Sequence, residues 1–341
     1  MKKSLMTLGV LALFVLMAYG QEKKFALYSV AFYNMENLFD TIHDEGKNDY
    51  EYLPNGTNQW NTMKYKAKLK NMSEILSMLS TDKLPMGPAI IGVSEIENYR
   101  VLEDILKQPA LADRGYQYVH YEGADQRGVD CAFFYNPKLF ELTNSKLVPY
   151  VYINDTVHKT RGFLIASGNI AGEKMHFIVN HWPSRAAASP ARERAGEQVR
   201  AIKDSLLRED SAAKIVIMGD MNDDPMDKSM AVALGAKRKP ADVGPTDLYN
   251  PWWDTLKKGY GTLMYKGKWN LFDQIVFTGN LLGTDRSTLK FYKHEIFRRD
   301  FMFQKEGKYK GYPKRTQAGG VWLNGYSDHL PTIIYLIKEM K

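Results

Sequence analysis

A single cysteine, Cys131, in 341 residues excludes any intrachain disulfide. It lies in the apolar stretch before Tyr135, where a small buried residue is expected rather than a reactive thiol. No Gly-x-Ser-x-Gly elbow occurs, which leaves a serine hydrolase of that type without support. No Gly-x-x-x-x-Gly-Lys loop occurs either, so a phosphate-cradling nucleotide loop is excluded. Repeats at solenoid periods and low-complexity linkers are absent, which argues against an array of small units. The apolar run Leu5 to Met17 falls short of the ~20 residues that a bilayer-spanning helix needs.

That short run has a use. Met1-Lys2-Lys3 is a basic head, Leu5 to Met17 an apolar core, and Ala18-Tyr19-Gly20 supplies small residues around a cleavage point. This is the pattern of a secretory signal peptide over residues 1–20, with an uncleaved anchor as the alternative. No cysteine stands nearby to carry a lipid anchor. Cleavage near Gly20 would lower the net charge from +7 to +5 and leave residues 21–341 as one domain with no integral membrane segment. A secreted or periplasmic protein without disulfides must draw its stability from a sizeable core, and 44% hydrophobic residues with 25% charged supply one. A monomer is expected.

Strand and helix signals alternate through the mature chain. Strands are predicted at Phe25–Tyr33, Pro88–Val93, Tyr116–His120, Val129–Tyr135, Leu139–Pro149, Phe163–Asn169 and Lys174–Asn180. Further strands are predicted at Lys214–Met218, Gly261–Tyr265, Leu271–Phe277, Leu289–His294 and Thr332–Ile337, with helices near Met63–Leu79, Glu97–Lys107 and Pro190–Leu207. Many strands with few helices between neighbours imply two stacked mixed or antiparallel sheets with helices packed outside. Asp40–Asn61 and Glu295–Gly325, polar, glycine-bearing and aromatic, read as long surface loops.

Polar clusters fall at or just after strand ends, where sites on rigid sheets tend to be built. The sharpest is Lys214-Ile215-Val216-Ile217-Met218-Gly219-Asp220-Met221-Asn222, a buried apolar run that delivers an acid and an amide one residue apart. An acid placed where the chain leaves the core is costly unless it meets a metal, a cation or a reacting water. A turn cap explains the pair equally well, since Asp and Asn are ordinary turn residues. The other clusters are Tyr33-Asn34-Met35-Glu36-Asn37, Val93-Ser94-Glu95-Ile96-Glu97-Asn98, Asn180-His181-Trp182-Pro183-Ser184-Arg185, Phe272-Asp273-Gln274 and Tyr326-Ser327-Asp328-His329-Leu330-Pro331.

As an ordered set over Phe25 to about Leu336, these motifs resemble the endonuclease/exonuclease/phosphatase family, which includes deoxyribonucleases, abasic-site endonucleases, sphingomyelinases and inositol-polyphosphate phosphatases. The resemblance implies a four-layer α-β-β-α sandwich, two stacked mixed sheets flanked by helices, with divalent-metal-dependent phosphoester hydrolysis. Matched position by position, it implies Asn34 and Glu95 as metal ligands, with Asp328 a metal or water ligand beside His329. Mg²⁺ is the implied cation, Mn²⁺ or Ca²⁺ the alternatives, because hard oxygen donors suit them. Asp220 is implied to deprotonate the attacking water and Asn222 to hold that water or a phosphate oxygen. Asp273 and His329 resemble the acid–imidazole pair that donates to the phosphate as charge builds, and His181 a second phosphate-binding position. Glu122 is the expected acid partner of His181, while Arg127 and Arg185 are expected on the substrate side. Glu97 and Asn98 read as helix-start residues behind the site.

The favoured reading is a phosphodiesterase acting on nucleic acid, an endonuclease first. Its support is the run Phe297-Arg298-Arg299 through Lys308, Tyr309, Tyr312 and Arg315, whose cations alternate with aromatics in the manner of a strand-binding surface. A sphingomyelinase-like or small phosphate-ester hydrolase is the second reading. It would favour an exposed apolar hairpin, for which Asn250-Pro251-Trp252-Trp253 is the nearest match. A non-catalytic binding protein on the same fold is the third, and the joint presence of Asn34, Glu95, Asp220, Asn222, Asp273 and His329 speaks against it.

Overall fold

The protein is described by a computed structural model over residues 23–153, 155 and 157–340, so the expected signal peptide lies outside the described residues. The first strand, β1 (Phe25–Leu38), shows how the layers arise. Val30 and Phe32 enter one core, while Ala31 and Tyr33 enter another on the opposite face, the two-residue period of a strand buried on both sides. The first helix, α1 (Thr62–Met78), is capped by Asn61, which accepts from the Lys64 N–H, and buries Tyr65, Leu69, Met72, Ile75 and Leu76 at three- and four-residue spacing.

The chain continues through β2 (Ile90–Ile96), α2 (Tyr99–Leu106), β3 (Gln117–His120), β4 (Asp130–Tyr135), β5 (Glu141–Val148), β6 (Phe163–Ile170) and β7 (Glu173–His181). Helix α3 (Ser189–Glu209), with Pro190 in its first turn, leads into β8 (Lys214–Asp220). Two short strands, β9 (Ala236–Lys237) and β10 (Leu248–Tyr249), precede α4 (Trp253–Lys257) and the hairpin β11 (Leu263–Tyr265) and β12 (Lys268–Asn270). Last come β13 (Asp273–Thr278), β14 (Lys290–Ile296), the small pair β15 (Gln317–Ala318) and β16 (Val321–Trp322), and β17 (Thr332–Glu339).

Two sheets result, a six-stranded one in the order β14-β17-β1-β2-β4-β3 and a seven-stranded one in the order β5-β6-β7-β8-β13-β10-β9. Between them lies a core of Phe32, Ile90, Phe133, Phe177, Val216, Met218, Phe277 and Ile334, drawn from both sheets. Helices α1 and α2 cover the outer face of the first sheet, and α3 covers the outer face of the second through Val199 and Leu206 against Ile215 and Ile217. This is the four-layer sandwich with mixed sheets that the resemblance implied. Each sheet is centred on a parallel pair, β1 with β2 and β7 with β8. The carboxyl ends of all four strands, and the starts of their antiparallel neighbours β13 and β17, therefore open at one edge of the sandwich.

Most predicted strands lie within two residues of their observed bounds; the exceptions are instructive. β1 runs on to Leu38 because it stays paired with β2 through Asn34↔Ser94 and again at Leu38↔Ile96. Strand β12 has too little apolar character to register in the sequence; its pairing with β11 defines it. The two long loops hold only single turns and the β15–β16 pair. Cys131 is buried, as expected, and burial pushes its thiol up out of reach of ionisation. Trp252 does not form an exposed apolar hairpin: it is fully buried and donates from Nε1 to the Ile275 carbonyl at 2.9 Å. Among the described residues no helix is long and apolar enough to cross a membrane.

Candidate active site

Six of the singled-out residues meet at the sheet edge. Asn34, four residues before the end of β1, is fully buried, and its Nδ2 donates to Glu95 Oε1 at 3.1 Å and to Asp220 Oδ2 at 3.0 Å. Its Oδ1 accepts the Glu36 N–H at 2.8 Å. The Glu36 N–H needs an acceptor and the two carboxylates need a donor, so the amide ties the acids together.

Glu95 closes β2 in a left-handed backbone conformation (φ 58°), and Glu36, Asn37 and Asn222 share that region at φ 47°, 53° and 52°. Such conformations cost of order 1–3 kcal/mol each in non-glycine residues, and they collect at functional sites. Here the turn at Glu95 sends the carboxylate towards the cluster, where Oε2 accepts the Asn37 N–H at 3.0 Å.

His181 and Asp220 are register partners at the ends of β7 and β8, and Asp273 opens β13 opposite Asp220. Gly219 makes this close pairing possible. A Cβ there would fall 2.3 Å from the Asn180 carbonyl oxygen, inside any real contact. His181 Nε2 lies 3.6 Å from Glu95 Oε1 and 3.8 Å from Asp220 Oδ2, while its Nδ1 is buried without a partner among the described residues. On the other side, His329 Nδ1–H donates to Asp273 Oδ2 at 2.7 Å, which turns Nε2 towards Asp220 Oδ2 and Asp328 Oδ1, each at 3.9 Å.

The electrostatics separate the two imidazoles. Burial, reinforced by Arg161, Arg127 and His329, pushes His181 well below the usual histidine range, so this ring is neutral. Burial pushes His329 the same way, but the Asp273, Asp220 and Asp328 carboxylates outweigh it and hold the ring well above that range, as a cation. Burial raises Asp220 to about 7, with Asp273 and Glu95 adding and His329 opposing. A buried carboxylate poised near neutrality between a neutral and a charged imidazole is equipped to take a proton.

Glu95, His181 and Asp220 each present a ligand atom within 4.8 Å of the others. Carboxylate oxygens with an imidazole nitrogen are donors that divalent cations accept, and the charge of Asp273 and Glu95, which adds to burial in lifting Asp220, is what such a cation relieves. The donor set fits.

Other expected residues sit elsewhere or act differently. Asn222 orients the acid through its backbone, donating N–H to Asp220 Oδ1 at 3.0 Å, while its Nδ2 is spent on the Trp182 carbonyl. Asp328 accepts from Arg315 Nη2 through Oδ2 at 2.8 Å, and its Oδ1 faces His329 Nε2 at 3.9 Å. Glu122 is not the partner of His181. Its side chain, 55% exposed, faces His120 at 4.0 Å, and Glu95 and Asp220 take the expected place. Arg185 stacks on Phe272 at 4.4 Å and bridges Asp223, Asp224 and Asp227, so it buttresses the turn after β8. Arg127 is half-exposed beside Asp125, near enough to His181 to depress it. Asn98 caps α2, as expected of a helix-start residue.

The sequence pointed to Arg315 only as one cation of a strand-binding run, not as part of the site. Its Nε donates to Glu36 Oε1 at 2.9 Å and its Nη2 to Asp328, which leaves Nη1 without a hydrogen bond among the described residues. Glu36 is held in turn by the Thr316 N–H at 2.6 Å and by fully buried Lys68 at 3.7 Å, whose Nζ also donates to the Tyr326 carbonyl. The available signal was Lys68, a charge inside the apolar stripe of α1 between Tyr65 and Leu69.

A model of the Endonuclease/Exonuclease/phosphatase family matches residues 29–338. No curated protein matches the chain by sequence. Solved structures match in fold. An endonuclease/exonuclease/phosphatase family protein from Bacteroides thetaiotaomicron is 15% identical with a TM-score of 0.58, covering 93% of this chain and 97% of that one. A mannosyl-6-phosphatase from the same organism is 14% identical with a TM-score of 0.56, covering 91% and 99%. D. rerio TDP2 complexed with a single-strand DNA product is 15% identical with a TM-score of 0.53, again covering 91% and 99%.

Proposed function

Since the chain belongs to the endonuclease/exonuclease/phosphatase family, and is thereby a metal-dependent phosphoester hydrolase, we propose that it hydrolyses phosphodiester bonds of nucleic acid with Mg²⁺ as its cation. The observation that carries the reading is the convergence on Asp220 Oδ2 of His181 Nε2 at 3.8 Å and His329 Nε2 at 3.9 Å, beside Glu95. Two nitrogen donors and one poised base around a single point suit a phosphoryl group with a water in line behind it.

Glu95, with Asp220 alongside, would hold the cation, which when bound would polarise a phosphoryl oxygen and neutralise charge on it. Asp220 takes the proton of the attacking water, its carboxylate aimed by the Asn34 amide and the Asn222 N–H. His329, kept cationic by Asp273, donates from Nε2 to a non-bridging oxygen as negative charge grows. His181, neutral, offers a second N–H, and the unspent Nη1 of Arg315 offers a third donor from the opposite wall. Two observations support nucleic acid as the substrate: Lys308, Tyr309 and Tyr312 stand around the cavity next to Arg315, and the fold neighbour TDP2 holds a single-strand DNA product. Arg298 does not belong to that surface, because it is packed among Trp269, Phe303 and Tyr260.

The test is metal-stimulated cleavage of DNA and RNA oligonucleotides by wild type, Asp220→Asn and His329→Gln. Each variant is expected to lose about 10²–10³-fold in kcat with its fold intact by circular dichroism. Wild type that cleaves neither polymer while hydrolysing sphingomyelin or a sugar phosphate would reassign the substrate.

A further inference from the structure

We propose that the cavity beside the phosphate site receives the base of one unpaired nucleotide, stacked on Tyr309 and Tyr265, so that the enzyme reads single-stranded ends or loops; this rests on the nuclease reading and deepens it. The cavity, about 610 Å³, opens between the β11–β12 hairpin and the loop from Gln304 to Pro313. Arg315 and Asp328 also line it, and Asp328 Oδ1 lies 3.9 Å from His329 Nε2, so the cavity adjoins the proposed phosphate site. The two loops are tied at the rim, where the Gly267 N–H donates to the Tyr312 hydroxyl at 2.6 Å.

The chemistry of the walls selects a planar ring. Leu263, Met264 and Leu323 give apolar contact, while Tyr265 and Tyr309 remain 63% and 51% exposed. Lys266 and Lys308 stand over one face of these rings at 5.3 Å and 5.5 Å, so a base would stack on the opposite face of each. Aromatic faces flanked by lysines next to a phosphate site are the composition of a base-stacking platform, where each base gains affinity from its π-face and its chain of phosphates from the cations. A sugar would be met by a fan of amides and carboxylates, whereas only Gln304 and Glu306 supply such groups alongside Asp328. A hydrocarbon tail would be met by a dry sleeve, not by half-exposed tyrosines with lysines at the mouth. The cavity accommodates one base out of its stack, and a base in a duplex must first break its pairing to enter.

Isothermal titration of the full protein with Mg²⁺ separates these ligands. The probes are inorganic phosphate, the phosphonate analogue of AMP, that of ribose 5-phosphate, and decylphosphonate, whose P–C bonds resist hydrolysis. The AMP analogue is expected to bind about tenfold or more tightly than the ribose analogue. Tyr309→Ala and Tyr265→Ala should each remove most of that advantage and leave phosphate affinity unchanged, and Tyr309→Phe should retain it. Equal binding of the AMP and ribose analogues, tightest binding of decylphosphonate, or indifference to both alanine substitutions overturns the cavity assignment while phosphate binding preserves the site beneath it. Failure to bind phosphate at all overturns both.

Discussion

Glu97 stands two residues beyond Glu95 with its carboxyl buried, accepting the Asp40 N–H at 2.7 Å. Burial, with Asp40, Asp44 and Asp49 nearby, raises it to about 9. The folded protein thus keeps a proton that the unfolded chain releases in the ordinary carboxylate range. The resulting stabilisation is fully present below that range and is lost as pH climbs towards about 9. Glutamine imitates the protonated form at every pH. Glu97→Gln should match wild type near pH 4.5 and exceed it near pH 8 by roughly 1–3 kcal/mol, read from denaturant midpoints in the presence of chelator. A variant less stable than wild type at both values would show that the carboxyl is ionised in the fold. Individual residues of the site were readable to the same degree as Glu97. Asp220, Glu95, His181 and His329 stand at the ends of apolar runs, where a polar side chain has no packing role. Lys68 and Arg315 were not, one hidden among the neighbouring lysines of α1 and the other in a loop full of cations.

Strands β7 and β8 put His181 level with Asp220 only because their backbones approach closely at Gly219. Gly219→Ala would press a methyl against the Asn180 carbonyl oxygen and Cβ, at 2.3 Å and 2.7 Å, neither of which is a flexible tip. The expected cost is about 1–3 kcal/mol by thermal or denaturant unfolding, with loss of hydrolysis beyond what the stability change explains. Unaltered stability would mean that the strands can separate without penalty. Strands of this kind, buried on both faces, declare themselves in sequence because burial on two sides favours a near-continuous apolar run. β9, β10 and β12 span only two or three residues each, and their partners create them, so no local pattern could reveal them.

Both sheets turn their central strand ends to the same edge, and the acids gathered there repel one another until a cation arrives. Mg²⁺ or Mn²⁺ should therefore raise the unfolding temperature, by linkage worth about 2.7 kcal/mol at a hundredfold excess over Kd. Chelator should reverse the shift, and Glu95→Gln should abolish most of it. Scanning fluorimetry across a metal titration reads this directly; a wild-type curve that metal leaves in place would remove the cation from the site. The assembly also explains why partners were harder to foresee than participants. Glu36 and Arg315 are separated by 279 positions, and Asn34 and Asp220 by 186.

The order of apolar runs, with a polar residue at each end, is written into the chain locally, because burial acts on neighbouring residues with a fixed period. It was enough to give two sheets with helices outside and polar clusters at the strand ends, from which the family resemblance singled out Asp220, Asn222, His181, Glu95, Asp273 and His329. Who faces whom was decided by the stacking of two sheets. Only that stacking gives His181 to Glu95 and Asp220 instead of Glu122, occupies Asp328 with Arg315, and turns the Asn34 amide onto two carboxylates. Hydrogen bonds and ion pairs act over a few ångströms of space, a distance that position along the chain does not encode.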